Sequence, residues 1–278
     1  MSAYKGLGHY VLLYVLLAAV LAVFLFPFYW MAISGFRAPD ALFTSEPTFW
    51  PTESSLEFYM RVMRGTSFWR YTLNSLFVAL TSTLLALTVG TFGAYSVTRF
   101  DYFGRRFLSR TFLFIYMFPP ILLVIPLFFI FKNLGLVNTY AGLILAYTTF
   151  SLPVILWLLS AFFRTIPEEI EEAGLVDGAG RMAVFFRIVL PLAAPGLAAA
   201  SVFAFLSSWN EYLFASILIN SNELQTLPLG VAHYVSVEST RWGEAMAAAT
   251  LLSIPVFLFA VIVQRYLVAG LTAGAVKG

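Results

Sequence analysis

The chain has 278 residues, 60% of them hydrophobic and 11% charged, with a formal net charge of +2. Soluble domains carry about 25% charged residues, so this composition excludes an ordinary soluble domain, and the small charge gives no reason to expect nucleic acid. Cysteine is absent, and the two histidines, His9 and His233, are far apart. That removes disulfides and Cys-metal sites and leaves no histidine cluster for a metal.

Apolar runs longer than about 18 residues are candidate membrane spans. In chain order they fall at roughly 10–36, 71–98, 111–131, 133–163, 188–219 and 245–264. The first far exceeds the roughly 7–15 residues of a signal-peptide core, so it is read as a span. Lys132 and the turn-prone Asn133, Gly135 and Asn138 separate the third run from the fourth. Glu211 is the one charge inside the fifth. The runs are too long and too evenly apolar for barrel strands. The expected fold is therefore an all-α membrane protein of six transmembrane helices.

Between the first two runs lies 37–70, rich in Pro, Ser, Thr and aromatics (Pro47, Trp50, Pro51, Trp69), with a short amphipathic helix expected near Leu56–Met63. An even number of spans puts both termini on one side. That side, with its loops, holds ten Lys and Arg, and the other holds six; Arg99, Arg105, Arg106 and Arg110 concentrate the bias in one short loop. By the positive-inside rule both termini are expected in the cytoplasm, with 37–70 and 220–244 outside. One membrane domain is expected, with its core at 71–268 and a tail at 269–278. Prolines 27, 119, 120, 126, 153, 195 and 255 fall in the spans. They read either as ordinary kinks that neighbouring helices accommodate or as flexing points of a transport cycle.

The most informative segment is 165–191, TIPEEIEEAGLVDGAGRMAVFFRIVLP. Five of the 14 acidic residues fall in ten of its positions: Glu168, Glu169, Glu171, Glu172 and Asp177. Thr165-Ile-Pro-Glu168 has the pattern of a capping box, with Pro favoured early in a helix. Acids in a first turn complement the helix dipole, so Glu168 and Glu169 read as helix starters. Glu172 lies past that turn, and another role is expected for its charge. Gly178 is expected to end this helix. A second short one then places Met182 and Phe185 or Phe186 on one face. Bare in the cytoplasm, such an apolar face is an association liability. It reads as a docking knob, or as a patch packed back on its own bundle. The chain has three lysines, Lys5, Lys132 and Lys277, none followed by Ser or Thr, so it lacks the phosphate-binding P-loop pattern.

This pattern resembles the EAA loop of ABC-importer permeases: Glu172-Ala173-Gly174, then Gly178, then Ile188 and Leu190-Pro191, in register. Gly174 stands where Ala is usual, at a cost in helix propensity expected to loosen the turn. The resemblance extends along the chain through Asn74-Ser75, Ala94-Tyr95, Arg99-Phe100, Gly104-Arg105, Leu134-Gly135-Leu136, Trp209-Asn210-Glu211 and the tail from Gly270 to Gly278. These are similar to carbohydrate-importer permeases, above all the maltose/trehalose type with a cytoplasmic tail. The resemblance implies a type I permease fold in a prokaryotic plasma membrane. It also implies a second permease, an ATPase pair docked on the EAA loop, an external sugar-binding protein, a sugar substrate and surrounding lipid. ATP and Mg would be bound by the ATPase; this chain would hold no cofactor and no metal and would not itself be an enzyme.

On that footing the expected ATPase-docking residues are Glu172, Ala173, Gly174, Asp177, Gly178, Met182, Phe185, Phe186, Ile188, Leu190 and Pro191. Trp209, Asn210, Glu211 and Tyr212 read as a substrate path, or Glu211 as a structural hydrogen bond to a neighbouring helix. The loop 220–244 exceeds the roughly 12–15 residues above which connections are usually functional or disordered. Tyr234 and Trp242 are its expected contacts with a binding protein, unless the stretch forms a short surface helix. The tail reads as a gating element or a frayed terminus, too polar and Gly-rich to extend the last helix far. A secondary transporter or channel working without ATP remains the rival class, and a membrane-embedded enzyme the third, although no cluster of nucleophile, base or metal ligands is visible.

Overall fold

Long apolar runs satisfy their backbone groups within the segment, and the computed structural model is accordingly helical. It describes residues 7–42, 48–51, 53–65, 67–235 and 241–275; Lys5, Pro47 and Lys277 lie outside them. The helices are α1 Leu7–Gly35, α2 Glu57–Arg64, α3 Phe68–Arg99, α4 Arg105–Tyr116, α5 Pro120–Asn133, α6 Tyr140–Phe163, α7 Glu168–Val176, α8 Arg181–Val184, α9 Leu190–Leu192, α10 Ala194–Trp209, α11 Leu213–Leu218, α12 Leu227–Ala232 and α13 Trp242–Ala275. A π-helical stretch, Phe185–Val189, joins α8 to α9.

Among the described residues, four helices are long and apolar enough to cross a membrane: α1, α3, α6 and α13. The third and fifth apolar runs, expected as single helices, are bent. α4 and α5 meet at 104°, and the segments 181–192 and 194–209 meet at 75°. Counting each bent pair as one span gives six. The bends sit at prolines for a physical reason. Pro119 takes the cap position of α5 with Pro120 behind it, and Pro195 falls in the first turn of α10. There a missing N–H costs nothing, whereas inside a helix it breaks the ladder. Pro27, Pro126, Pro153 and Pro255 instead stay inside their helices. α13 also departs from expectation, because its helical backbone continues to Ala275. Gly270 and Gly274 each weaken a helix by about 1 kcal/mol, but no proline follows to stop it.

The residues group into two compact units, Met1–Phe68 with Val231–Ser253, and Trp69–Gly230 with Ile254–Gly278. In the first, the expected amphipathic helix is α2. It buries Phe58, Tyr59 and Val62, while Arg61 on its other face pairs with Glu57 and, at 3.4 Å, with Glu244. The Tyr59 hydroxyl donates to the Ala32 carbonyl at 3.0 Å.

In the second unit, α6 packs on α4 and α10. α3 lies so close to α6 that a Cβ on Gly90 or Gly93 would meet Ile155 or Leu156 within 2.6 Å. One core cluster holds Ala86, Ala94, Ile155, Leu159, Phe163 and Phe185. A second holds Val78, Phe131, Leu143, Tyr147, Phe214 and Leu218. The turn after α5 uses Gly135 at φ 69° and Asn138 at φ 58°. The Asn138 carboxamide oxygen accepts from the backbone N–H groups of Asn220 and Ser221 at 3.1 and 3.0 Å, which ties the end of α11 to this turn.

Candidate functional site

The segment 165–191 folds as a helical hairpin, α7 and then α8. Thr165 does not cap α7. Its hydroxyl donates to the Phe162 carbonyl at 2.7 Å, completing the end of α6, and Pro167 occupies the cap position without a side-chain bond. Two adjacent helix ends compete for Thr165, and the nearer carbonyl takes it.

α7 ends in a Schellman turn. The Gly178 N–H donates to the Leu175 carbonyl and the Ala179 N–H to the Gly174 carbonyl, both at 3.1 Å. Gly178 has φ 87°, the left-handed region that favours glycine here. A Cβ at Gly178 meets nothing within 4 Å, so backbone conformation alone demands the glycine. Gly178→Val is expected to lower stability by about 1–2 kcal/mol through left-handed strain, with Gly178→Asn closer to wild type; thermal unfolding of the two purified variants measures the difference.

Gly174 does the opposite of loosening the turn. It is buried on the face of α7 that meets the next helix, where an added Cβ would lie 2.7 Å from Ile188 Cδ1 and 3.2 Å from Val184 Cγ2. Its small size lets the two arms of the hairpin approach.

An ion pair that the sequence did not single out hangs this hairpin from the bundle. Glu171, one position before the expected Glu172, is buried. Its carboxylate accepts from Arg99 Nε at 2.5 Å and from the Tyr95 hydroxyl at 2.7 Å. The Arg99 guanidinium also donates to the carbonyls of Phe163 and Ile166 at 2.9 and 2.8 Å. Both side chains of the pair are about nine-tenths buried, at 8% and 11% exposure. Glu168, besides starting α7, approaches Arg99 at 3.7 Å. Glu172, Ala173 and Asp177 lie on the solvent side, with Asp177 at the C-cap.

The expected apolar knob divides. Phe185 is 2% exposed, stacked on Phe92 at 5.3 Å and against Tyr95 at 4.7 Å. It packs back on its own bundle, and its ring is not at the surface. Met182 is 60% exposed and Phe186 is also open. Val176, 86% exposed at the tip, joins them; its place beside the Asp-Gly turn was the available signal. Ile188 and Leu190 are half-buried, and Pro191 is exposed in the short α9. The π-helical register at Phe185–Val189 comes just before Pro191, and such single-turn bulges are frequent at functional sites.

The second group of expected residues lies where the helical run breaks after Trp209. Trp209 is buried and stacks on Phe205 at 5.7 Å. Asn210 donates to the Leu206 carbonyl at 2.9 Å, and Tyr212 is exposed at the cap of α11. Glu211 caps α11, accepting from the N–H groups of Phe214 and Ala215 at 2.9 and 3.2 Å. Its backbone partners are thus on the next helix in the chain, and its carboxylate also faces the Tyr147 hydroxyl on α6. Glu211 also lines a cavity of about 480 Å³ with Tyr147, Phe150, Ser151, Phe203 and Ser208. The buried Tyr147 hydroxyl there faces Glu211 and Thr226.

In the loop 220–244, residues 236–240 lie outside the described residues. The short α12 buries Leu227, Leu229 and Gly230. Tyr234 is half-buried with the Arg241 guanidinium 5.0 Å above its ring. Trp242, at the start of α13, is exposed.

Residues 86–273 match the family described as "Binding-protein-dependent transport system inner membrane component". The inner membrane ABC transporter permease protein YcjP of Escherichia coli K12 is 39% identical over 94% of each chain. The trehalose/maltose transport system permease protein MalG of Thermococcus litoralis is 37% identical, over 91% of this chain and 92% of its own. Among solved structures, a bacterial ABC transporter involved in the import of the acidic polysaccharide alginate superposes with a TM-score of 0.78. It is 23% identical over 96% of this chain and 99% of that one, and so shares the fold. With its EAA hairpin and these relatives, the chain belongs to the family of binding-protein-dependent transport system inner membrane components, as an ABC-importer permease that resembles the maltose/trehalose type.

Proposed function

We propose that the chain is a channel-forming permease subunit of an ATP-driven sugar importer, taking a di- or oligosaccharide such as trehalose or maltose. The hairpin carries this reading: an exposed tip of Val176, Met182 and Phe186 is fixed to the bundle by the buried Arg99–Glu171 pair. A push on such a tip is delivered to α3 and to the bend before α10. Glu172, Ala173, Asp177 and Gly178 face an ATPase subunit; Gly174, Phe185, Ile188 and Leu190 seat the hairpin behind them, and Pro191 stays exposed beside it. ATP and Mg belong to that ATPase pair. A second permease completes the channel, and an external sugar-binding protein delivers the substrate. The names of relatives, including the trehalose transport system permease protein SugB of Mycobacterium tuberculosis, 40% identical over 82% of this chain, support a sugar.

In this reading the chain crosses a prokaryotic plasma membrane six times, with termini and hairpin in the cytoplasm, as the ten-to-six distribution of Lys and Arg supports. The cavity at Tyr147 and Glu211 is the part of the sugar path that this chain supplies.

The test is reconstitution with the ATPase pair, the second permease and the binding protein. ATP hydrolysis is measured against a panel of sugars. Stimulation by one di- or oligosaccharide is expected; failure of the chain to co-purify with any ATPase subunit sinks the proposal. The loop is tested separately by a photo-crosslinker at position 234. An adduct with the binding protein is expected during the ATP cycle. Its absence at every stage removes Tyr234 and its neighbours from that contact and leaves the importer reading standing.

A further inference from the structure

A cavity of about 530 Å³ opens among the ends of α3, α4 and α6, and arginines dominate it: Arg105, Arg106, Arg110 and Arg164. No Asp or Glu lines it. Arg105 is held by Asp101 at 2.8 Å and donates to the Phe100 carbonyl at 3.1 Å. The side chains of Arg106, Arg110 and Arg164 have no ion pair or hydrogen bond among the described residues. These three arginines are exposed, and like charges gathered around one concavity favour the entry of an anion. Helix chemistry adds to the demand. α4 begins with Arg105 and Arg106 and has no acid in its first turn, so its positive dipole end faces positive side chains. Thr98, Ser109 and Ser160 add hydroxyls, while Phe112, Leu156 and Trp157 give an apolar wall. Trp157 is exposed, as tryptophans are at the boundary between headgroups and acyl chains.

We infer that this cavity is a binding site for the headgroup phosphate of an anionic phospholipid. Free guanidinium groups grip phosphate oxygens in pairs, the hydroxyls add donors, and the apolar wall accepts the start of an acyl chain. Basic pockets between helices at the cytoplasmic surface suit such headgroups. A solvated basic face would need neither the concavity nor the aromatic wall.

The test uses the full chain in detergent, equilibrated with mixed phosphatidylglycerol and phosphatidylcholine, with retained lipid counted by native mass spectrometry. Wild type is expected to keep phosphatidylglycerol preferentially. The triple variant R106Q/R110Q/R164Q should lose it by about fivefold for each arginine removed. A variant with lysine at the same three positions, which keeps the charge, should fall between, and R64Q/R70Q, altered elsewhere, should match wild type. Equal retention of the two lipids by wild type overturns the inference, as does unchanged retention by the triple variant. Displacement of the lipid by millimolar inorganic phosphate also overturns it, in favour of a free-phosphate site.

Discussion

Glu171→Ala is expected to be among the most damaging single substitutions in the hairpin, costing about 3–5 kcal/mol. Removing one partner of a buried pair strands the other charge. Arg99 would keep its two carbonyl acceptors, Phe163 and Ile166, but no buried carboxylate. The Tyr95 hydroxyl, now bound to Glu171, would lose its acceptor as well. A double-mutant cycle isolates the pair. Glu171→Ala and Arg99→Ala should each be severe, and the double variant should lose much less than their sum, with a coupling of about 2 kcal/mol or more. Unfolding midpoints in detergent give the cycle; strict additivity would mean that the pair does not hold α7. In the reconstituted importer the same variant should uncouple hydrolysis from sugar, because the tip would no longer push on α3. Glu172→Ala, altering a solvent-side carboxylate, should leave folding near wild type and affect only docking.

The contrast between Glu171 and Glu172 marks how far the sequence could be read. Four glutamates lie within five positions, and composition treats them alike. Only the phase of α7 separates them. Glu171 and Gly174, three apart, face inward together, and the small residue at Gly174 was the clue to which face is buried. Motif spacing pointed to Glu172 because a motif records what aligns, not which side faces the bundle. In the sequence Arg99 is one charge of a basic loop and part of the Arg99-Phe100 likeness; its place at the end of α3, within reach of the hairpin, emerges only in the fold. The hairpin itself was legible, since Gly178 is a helix stop whose chemistry is local. The apolar spans were legible for the same reason. The two bends were not, because hydropathy sums over a window and is blind to direction, and prolines such as those at 119, 120 and 195 suit an ordinary kink or a flexing point as well as a sharp break. Phe185 and Phe186 could not be told apart by period, because positions three and four residues on both lie near Met182 on a helix face; the rings of Phe92 and Tyr95, distant in sequence, decide that Phe185 is the buried one.

Asn74→Ala should rival the Glu171 variant for a different reason. Asn74 is buried in α3, and all of its side-chain polar atoms are engaged. Its Nδ2 donates to the carbonyls of Glu223 and Gln225, both at 2.8 Å, and its Oδ1 accepts from the Tyr140 hydroxyl at 2.7 Å. Next to it, Ser75 Oγ accepts from the Leu227 N–H at 2.7 Å. One Asn-Ser pair therefore pins the loop before α12 and the start of α6 to α3. Truncation leaves two carbonyls and a hydroxyl without their partner. At roughly 1 kcal/mol or more for each stranded group, the loss is about 3 kcal/mol or greater. Tyr140→Phe removes a single bond and should cost about 1 kcal/mol by the same rule. Asn74→Asp keeps the acceptor for Tyr140 but turns the donor into an oxygen facing two carbonyls, so it should be at least as harmful as the alanine. This order, with Tyr140→Phe mildest, is checked by thermal unfolding of the three variants. Limited proteolysis should find 219–226 newly cleavable in the Asn74 variants only. If Asn74→Ala costs no more than Tyr140→Phe, the loop is held by something other than this amide.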